Sequence, residues 1–328
     1  MNTCKWYKNK KSDPYCLISL ACVIAAIILL SGAYSPSLAK SIHQKSFASP
    51  EEAVNALVVA VKADDKKEML AILGHGSKKL IFSGDEVADK AGREKFLKAY
   101  DEKNKLEKES ADKMVLHVGS NDWPLPIPIV KKINVWVFDT KAAKEEILNR
   151  RIGRNELNVI EVLHAHVDAQ REYASKDCKG NGVVEFAQKF ISTKGKRDGL
   201  YWEAKEGEEM SPLGPLVAQA AKEGYAEKPE GITFSPYHGY YYKILKGQGK
   251  HATGGAYDYV VKGKMILGFA LVAYPAHYKN SGIMTFIVNQ EGIIYEKNLG
   301  KNTESIAKAM KIFDPDKTWK KVKEIPEH

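Results

Sequence analysis

Apolar positions repeat with a helical period in the first part of the chain and with a strand period later. Ser49-Pro50-Glu51-Glu52 is followed by Val54, Leu57, Val58 and Val61 at spacings of three and four. This pattern predicts an amphipathic helix opened by a capping box, with proline at its first position. Asp64-Asp65 ends it, and Lys66 to Leu73 reads as a second, short helix stopped by Gly74. Residues 85–109 are rich in Lys, Glu and Ala, with Val87, Phe96, Leu97 and Tyr100 as the apolar side. They predict one or two more helices with a solvated, charged face. The period changes at Lys113, where Met114 to Val118 reads as a strand. From Trp123 to Val130, proline stands at every second position. Proline donates no ladder hydrogen bond, so this segment is expected at a sheet edge, with Leu125, Ile127 and Ile129 turned inward. Val135 to Phe138 is the expected partner strand, after a turn at 131–134.

Residues 141–176 read as helical almost throughout, with an interruption near Gly153, and Leu157, Ile160, Leu163, Val167 and Tyr173 approximate one face. A glycine-rich middle follows, within which Pro215 to Glu223 can form a helix. Tyr240–Leu245, Ala256–Val261, Met265–Tyr274, Met284–Asn289 and Ile293–Lys297 are apolar runs separated by Gly or Asn turns. They predict an antiparallel meander, closed by a helix over Thr303–Phe313 before Pro315. The fold class expected is α+β, with helices packed on antiparallel sheets in two domains. Residues 40–157 would form an N-terminal, cone-like α+β domain, and 158–328 a C-terminal long helix plus β-meander. The order of elements in the first of these resembles cone-shaped α+β folds of the nuclear-transport-factor-2 or cystatin type.

The first 39 residues change the reading of compartment. Lys5, Lys8, Lys10 and Lys11 precede an apolar run from Leu17 to Leu30, and Ser37 and Ala39 suit a signal-peptidase site. This is the pattern of a secretory signal peptide over 1–39, and the run is short for a membrane span. A periplasmic or secreted location follows as the expectation, with a membrane contact only through this segment if it stays uncleaved. The whole chain has 328 residues, 50 Lys and Arg against 41 Asp and Glu, and four cysteines. Without the leader it has 46 basic and 40 acidic residues, and Cys178 is its one cysteine. A modest net charge without a nucleic-acid-binding signature gives no ground for a nucleic-acid partner, and one thiol leaves no internal disulfide.

Several long strings carry a family resemblance. They are Lys144-Glu145-Glu146-Ile147-Leu148-Asn149-Arg150-Arg151-Ile152-Gly153-Arg154-Asn155-Glu156-Leu157, Pro236-Tyr237-His238-Gly239-Tyr240-Tyr241-Tyr242-Lys243, Gly268 to Pro275, Ser281 to Gly292, and Tyr295 to Gly300. Together they resemble the bacterial family called domain of unknown function 2950, over nearly the whole chain after the leader. The resemblance implies an exported protein and supplies no catalytic residue. The C-terminal half is also weakly similar to the globular part of type IV pilin-like proteins, although its helix is internal and amphipathic.

Candidate chemistry is sparse. Asp177, Asn181 and Glu185 fall in a glycine-containing loop with partial calcium-loop spacing. Lys179 stands where a third oxygen ligand belongs, so a glycine turn is the favoured reading and no metal or other cofactor is expected. Tyr237, His238, Tyr240 and Tyr242 form a tyrosine-rich turn suited either to a binding surface or to packing inside a sheet. Arg150 and Arg154 are four apart on a helix, and could receive an anion, with Glu145 and Glu146 interleaved as ion-pair partners. His164 and His166 are two apart, so on a helix one should pack inward and the other face solvent. The chain contains no HExxH, GxSxG, CxxC or P-loop sequence. The function expected is a non-catalytic binding or assembly module of the cell envelope, whose partner is another envelope protein or an envelope polymer. The alternatives are an envelope hydrolase with an interdomain site and a pilin-like structural component.

Overall fold

A computed structural model describes residues 44–176, 182–225 and 236–323. Helix α1 (Pro50–Lys62) begins as its sequence dictates. Ser49 Oγ accepts the Glu52 amide at 3.1 Å, while the Glu52 carboxylate turns back to the Ala48 amide at 3.0 Å, one residue before the usual capping-box partner. Helix α2 (Lys66–Leu73) is capped by Asp65 and stops at Gly74, as the sequence predicts. A single turn, α3 (Lys78–Ile81), leads to α4 (Glu86–Glu102), whose N-cap is Asp85.

The charged stretch after α4 departs from expectation. Helix ends at Glu102, and Asn104–Ser110 forms strand β1, paired antiparallel with β2 (Lys113–Val118). All but one of its side chains lie exposed on an open edge, where charge discourages further pairing. The proline-rich segment is also shorter as a strand than its period implies. It pairs with β2 as β3 (Trp123–Pro124), bends, and resumes as β4 (Ile129–Lys132), which pairs with β5 (Val135–Phe138). Ile127 and Ile129 are buried as expected, but Leu125 is half-buried and Pro128 is buried with them, because the bend breaks the alternation. This sheet, in the order β1-β2-β4-β5, and helices α1 to α4 enclose a core built around Val54, Leu57, Met69, Ile72, Leu116 and Phe138.

Helix α5 (Thr140–Ser175) runs 36 residues without the expected break at Gly153, whose missing side chain would meet nothing within 4 Å. Its middle therefore loses little packing to a glycine, and the backbone ladder continues. The expected boundary at 157/158 falls inside this helix. After α6 (Gly214–Lys222), strand β6 (Tyr240–Leu245) starts the second large sheet. Four short strands follow: β7 (Gly247–Gln248), β8 (Tyr257–Asp258), β9 (Val260–Val261) and β10 (Lys264–Met265). Of these, β8 and β9 divide the expected strand Ala256–Val261, and β10 overlaps the start of the expected Met265–Tyr274, which is interrupted where Gly268 takes positive φ and turns the chain.

The sheet then resumes as β11 (Ala270–Pro275), β12 (Thr285–Asn289) and β13 (Tyr295–Lys297). Helix α7 (Thr303–Ala309) and the edge strand β14 (Lys320–Lys321) complete the chain. The order β14-β13-β12-β11-β6 is an antiparallel meander with one excursion. Every residue of β11 and β12 is buried, so this sheet is covered on both faces. Val159, Leu163 and Val167 of α5 join its core with Phe269, Leu271 and Phe286. The molecule is thus α+β, with seven α-helices among the described residues packed on antiparallel sheets.

Candidate functional site

One side of α5 binds three separate segments of backbone. Arg151 donates to the carbonyls of Lys79 and Leu80, both at 2.6 Å, and to Asn280 Oδ1 at 3.0 Å. Asn280 in turn donates to the carbonyls of Phe82 and Ser83 at 2.9 and 3.1 Å. Asn155 donates to the Ser281 carbonyl at 2.9 Å. Glu156 Oε1 accepts the amides of Ile283 and Met284 at 2.8 and 3.0 Å. The loop 276–284 is therefore fixed by side chains on consecutive turns of one helix, and it reaches over to the loop that precedes α4.

That second loop is built around Asp85, which is 2% exposed. Its Oδ1 caps α4 through the Ala88 amide at 3.0 Å, and its Oδ2 accepts the Tyr225 hydroxyl at 2.7 Å and the Gly239 amide at 2.9 Å. Two glycines permit the close approach. Gly84, at φ +97°, has the His277 ring where a side chain would lie, and Gly239, at φ +76°, has the Asn155 amide there. His238, itself at φ +50°, places its ring 4.1 Å from that of Tyr237 and 5.9 Å from that of Tyr225. Its Nε2 lies 3.4 Å from a Glu223 carboxylate oxygen. Burial lowers the His238 imidazole below its ordinary value, against the pull of Glu223, Asp85 and Glu161. Burial also pushes the Tyr237 hydroxyl up to about 12 and raises that of Tyr225 further.

Beside this cluster lies an open cavity of about 260 Å³. Leu57 and Val61 of α1, Met69 of α2, Leu80, Phe96 of α4 and Ile127 form much of its wall. Its polar residues are Ser83, Asp89, Arg93, Arg151, Arg154 and Asn155. Asp89 accepts the Ser83 amide at 2.8 Å, and burial raises its carboxyl above the usual range despite that bond and the nearby Arg151 charge. Burial lowers the Arg151 guanidinium from its ordinary value, and Asp89 opposes the shift. The volume is just below the ~300–1,000 Å³ of common small-molecule sites.

The sequence candidates divide among these places. Tyr237, His238 and Arg154 come together, with Arg154 close enough to act electrostatically on His238. Tyr240 is turned into the sheet, where its hydroxyl donates to the Met284 carbonyl at 3.0 Å. Tyr242 lies on β6 with its hydroxyl 3.5 Å from the Tyr237 carbonyl, and burial raises its value well above the ordinary one. Arg150 pairs with Glu146 on the solvent side of α5; Arg151, one residue on, is the arginine that joins Arg154 at the cavity. Asp177 and Asn181 lie outside the described residues, and Glu185 is buried. Among the described residues, no group of three or more His, Cys, Asp and Glu is gathered closely enough to hold a metal ion.

Asp85, Asn155, Glu156, Tyr225 and Asn280 are the residues that reading along the chain missed. The one local signal was the Ser83-x-Asp85 turn before a helical pattern. Chemically, Asp85 and Glu156 each have a carboxylate oxygen filled by two or more donors, which suits positioning and not proton transfer. His238 and Glu223 form a histidine–carboxylate pair, and the Tyr225 hydroxyl accepts the His238 backbone amide at 3.3 Å.

A family model described as "Protein of unknown function (DUF2950)" matches residues 44–322, which takes in both sheets, α5 and the cavity. The chain belongs to this family. Neither the curated proteins nor the solved structures contain a match to it. The DUF2950 description states no activity, so the reading of this member rests on its own residues. The strings that carry the family resemblance, around Arg151, around His238 and around Ser281, are those that meet at the junction of α5, the loop 276–284 and β6.

Proposed function

We propose that this DUF2950 protein is an exported, non-catalytic binding module of the cell envelope, and that it holds a small, largely apolar ligand in the cavity beside α5. The observation that carries the reading is the cavity itself. Its wall draws on α1, α2, α4 and the loop before β4, and apolar side chains supply most of it. An open apolar pocket with a few convergent polar groups is the usual form of a small-molecule site. The hydrogen bonds of Arg151, Asn155 and Asn280 brace its rim before any ligand arrives, which lowers the ordering cost of binding. Export rests on the leader pattern of 1–39.

Titration of the purified protein with an apolar fluorescent probe tests binding. Gly92 lines the cavity, and a side chain added there meets nothing within 4 Å. Gly92→Phe should therefore be accepted by the helix and set a ring against the cavity, with an unchanged melting temperature as the check on the fold. Probe uptake by the wild type and its loss in Gly92→Phe is the expected result; equal uptake by both overturns the reading. N-terminal sequencing of the protein from fractionated cells should begin at Lys40, and a start at Met1 in the cytoplasmic fraction overturns the export part.

A further inference from the structure

We infer that the ligand of this cavity is an anionic amphiphile, a single unbranched acyl or alkyl chain whose charged head is received by Arg154. The inference rests on the binding reading and adds the chemical class.

Three guanidinium groups line the cavity against one carboxyl, that of Asp89. Two of the three are already engaged. Arg93 is paired with Asp64 at 3.0 Å. Arg151 spends its donors on the carbonyls of Lys79 and Leu80 and on Asn280. Arg154 has neither a carboxylate within 4.0 Å nor a hydrogen bond among the described residues, although it sits at the rim of an apolar space. Asp89 accepts the Ser83 amide through Oδ2, and its charge acts on Arg151. Glu223 lies 3.4 Å from His238 Nε2, and both Glu223 and Glu161 act on that imidazole. A cavity with apolar walls and, at its mouth, a planar five-donor cation unpaired among the described residues complements a molecule with a hydrocarbon body and an anionic end. The volume, about 260 Å³, sets the body at one short chain; a cavity of roughly 150 Å³ suffices for benzene.

Carboxylate and phosphate heads share this chemistry, and the test separates them. Calorimetric titration of the wild-type protein would use octanoate, octyl phosphate, octanol and octylammonium. One charged hydrogen bond at an exposed rim should favour an anion over octanol by roughly tenfold, with octylammonium weakest. Arg154→Gln should remove that preference and leave octanol unchanged. Arg154 is exposed, so this variant keeps the fold. Across hexanoate, octanoate and decanoate, each methylene that fits should tighten binding by roughly fourfold until the space is full. If octanol binds as tightly as both anions, or Arg154→Gln weakens all four probes equally, the anionic class is wrong while the cavity reading stands. If no probe binds, and Gly92→Phe changes nothing, both fail. The better of octanoate and octyl phosphate names the head group.

Discussion

Replacing His166 by leucine is expected to change how the stability of this protein responds to acid. His166 is 1% exposed in the core beneath the second sheet, with ring centroids 5.6 Å from Phe190 and 5.9 Å from Phe269. Neither ring nitrogen has a hydrogen-bond partner among the described residues. Burial pushes the imidazole down to about 3, against 6.5 for an ordinary histidine. Between those values the unfolded chain binds a proton that the folded chain refuses. Stability is therefore full above pH 6.5 and falls as the pH drops toward 3. Each unit is worth about 1.4 kcal/mol, so lowering the pH from 7 to 5 should remove about 2 kcal/mol through this residue alone. His166→Leu has no such loss, and it also spares the core two unbonded polar atoms. Thermal unfolding followed by circular dichroism at pH 7 and pH 5, wild type beside variant, isolates the effect. Carboxyls such as Asp89, whose raised value favours the folded chain in acid, cancel in that comparison. The advantage of the variant should grow by about 2 kcal/mol at pH 5, roughly 3–4 °C in midpoint for a chain of this size. An advantage of the same size at both pH values would refute the reasoning, since it would mean that the folded protein protonates His166 as readily as the unfolded chain.

Gly92→Ala lies within α4 and meets open space, so it should raise stability by up to about 1 kcal/mol, seen as a higher melting temperature. Asp85→Ala removes a helix cap and strands the Tyr225 hydroxyl and the Gly239 amide, and should cost about 2–4 kcal/mol in urea unfolding; a loss under 1 kcal/mol would show that these groups find other partners. Arg150→Ala and Arg151→Ala should separate sharply in the same assay. The first loses only an exposed pair with Glu146 and should change stability by no more than about 0.5 kcal/mol. The second leaves the carbonyls of Lys79 and Leu80 without their donor and should cost about 2–3 kcal/mol.

Elements whose signals are local were legible along the chain. Helix α1 carries its cap, its proline and its apolar spacing within thirteen residues, and β6 begins and ends where the run Tyr240–Leu245 does. The charged stretch Asn104–Ser110 was not, because nothing in its composition distinguishes a solvated helix face from an exposed edge strand; pairing with β2 decides it. Gly153 read as a break because glycine weakens helices by about 1 kcal/mol, yet α5 is held on both sides of it by packing and by Arg151 and Asn155. Within the site, His238 and Arg154 were legible as residue types that bind. Asp85, Asn155 and Asn280 were not. Each acts on backbone groups more than a hundred residues away in sequence, or accepts from them, and no spacing rule reaches that far. The cavity was invisible for the same reason, since its wall is shared among helices and a loop that meet only in the fold.

The junction is polar where an apolar contact would serve stability as well, and that choice has a consequence for binding. Buried hydrogen bonds add little net energy, but one left unmade costs more than one made returns. Arg151, Asn155 and Glu156 together bond to backbone at 79–80, 281 and 283–284, and Asn280 extends the network to 82–83. A shift of α5 by one residue against these segments would break them at once, whereas an apolar contact would slide at small cost. The network therefore fixes register more than it adds stability. Arg154 lies one residue from Asn155 on the same helix and shares none of these bonds. Its position relative to the cavity is consequently set by hydrogen-bonded neighbours, while its own donors make no bond among the described residues. A braced rim with a cation unpaired among the described residues is what selective recognition of a charged head requires, and a looser junction would forfeit it without loosening either core.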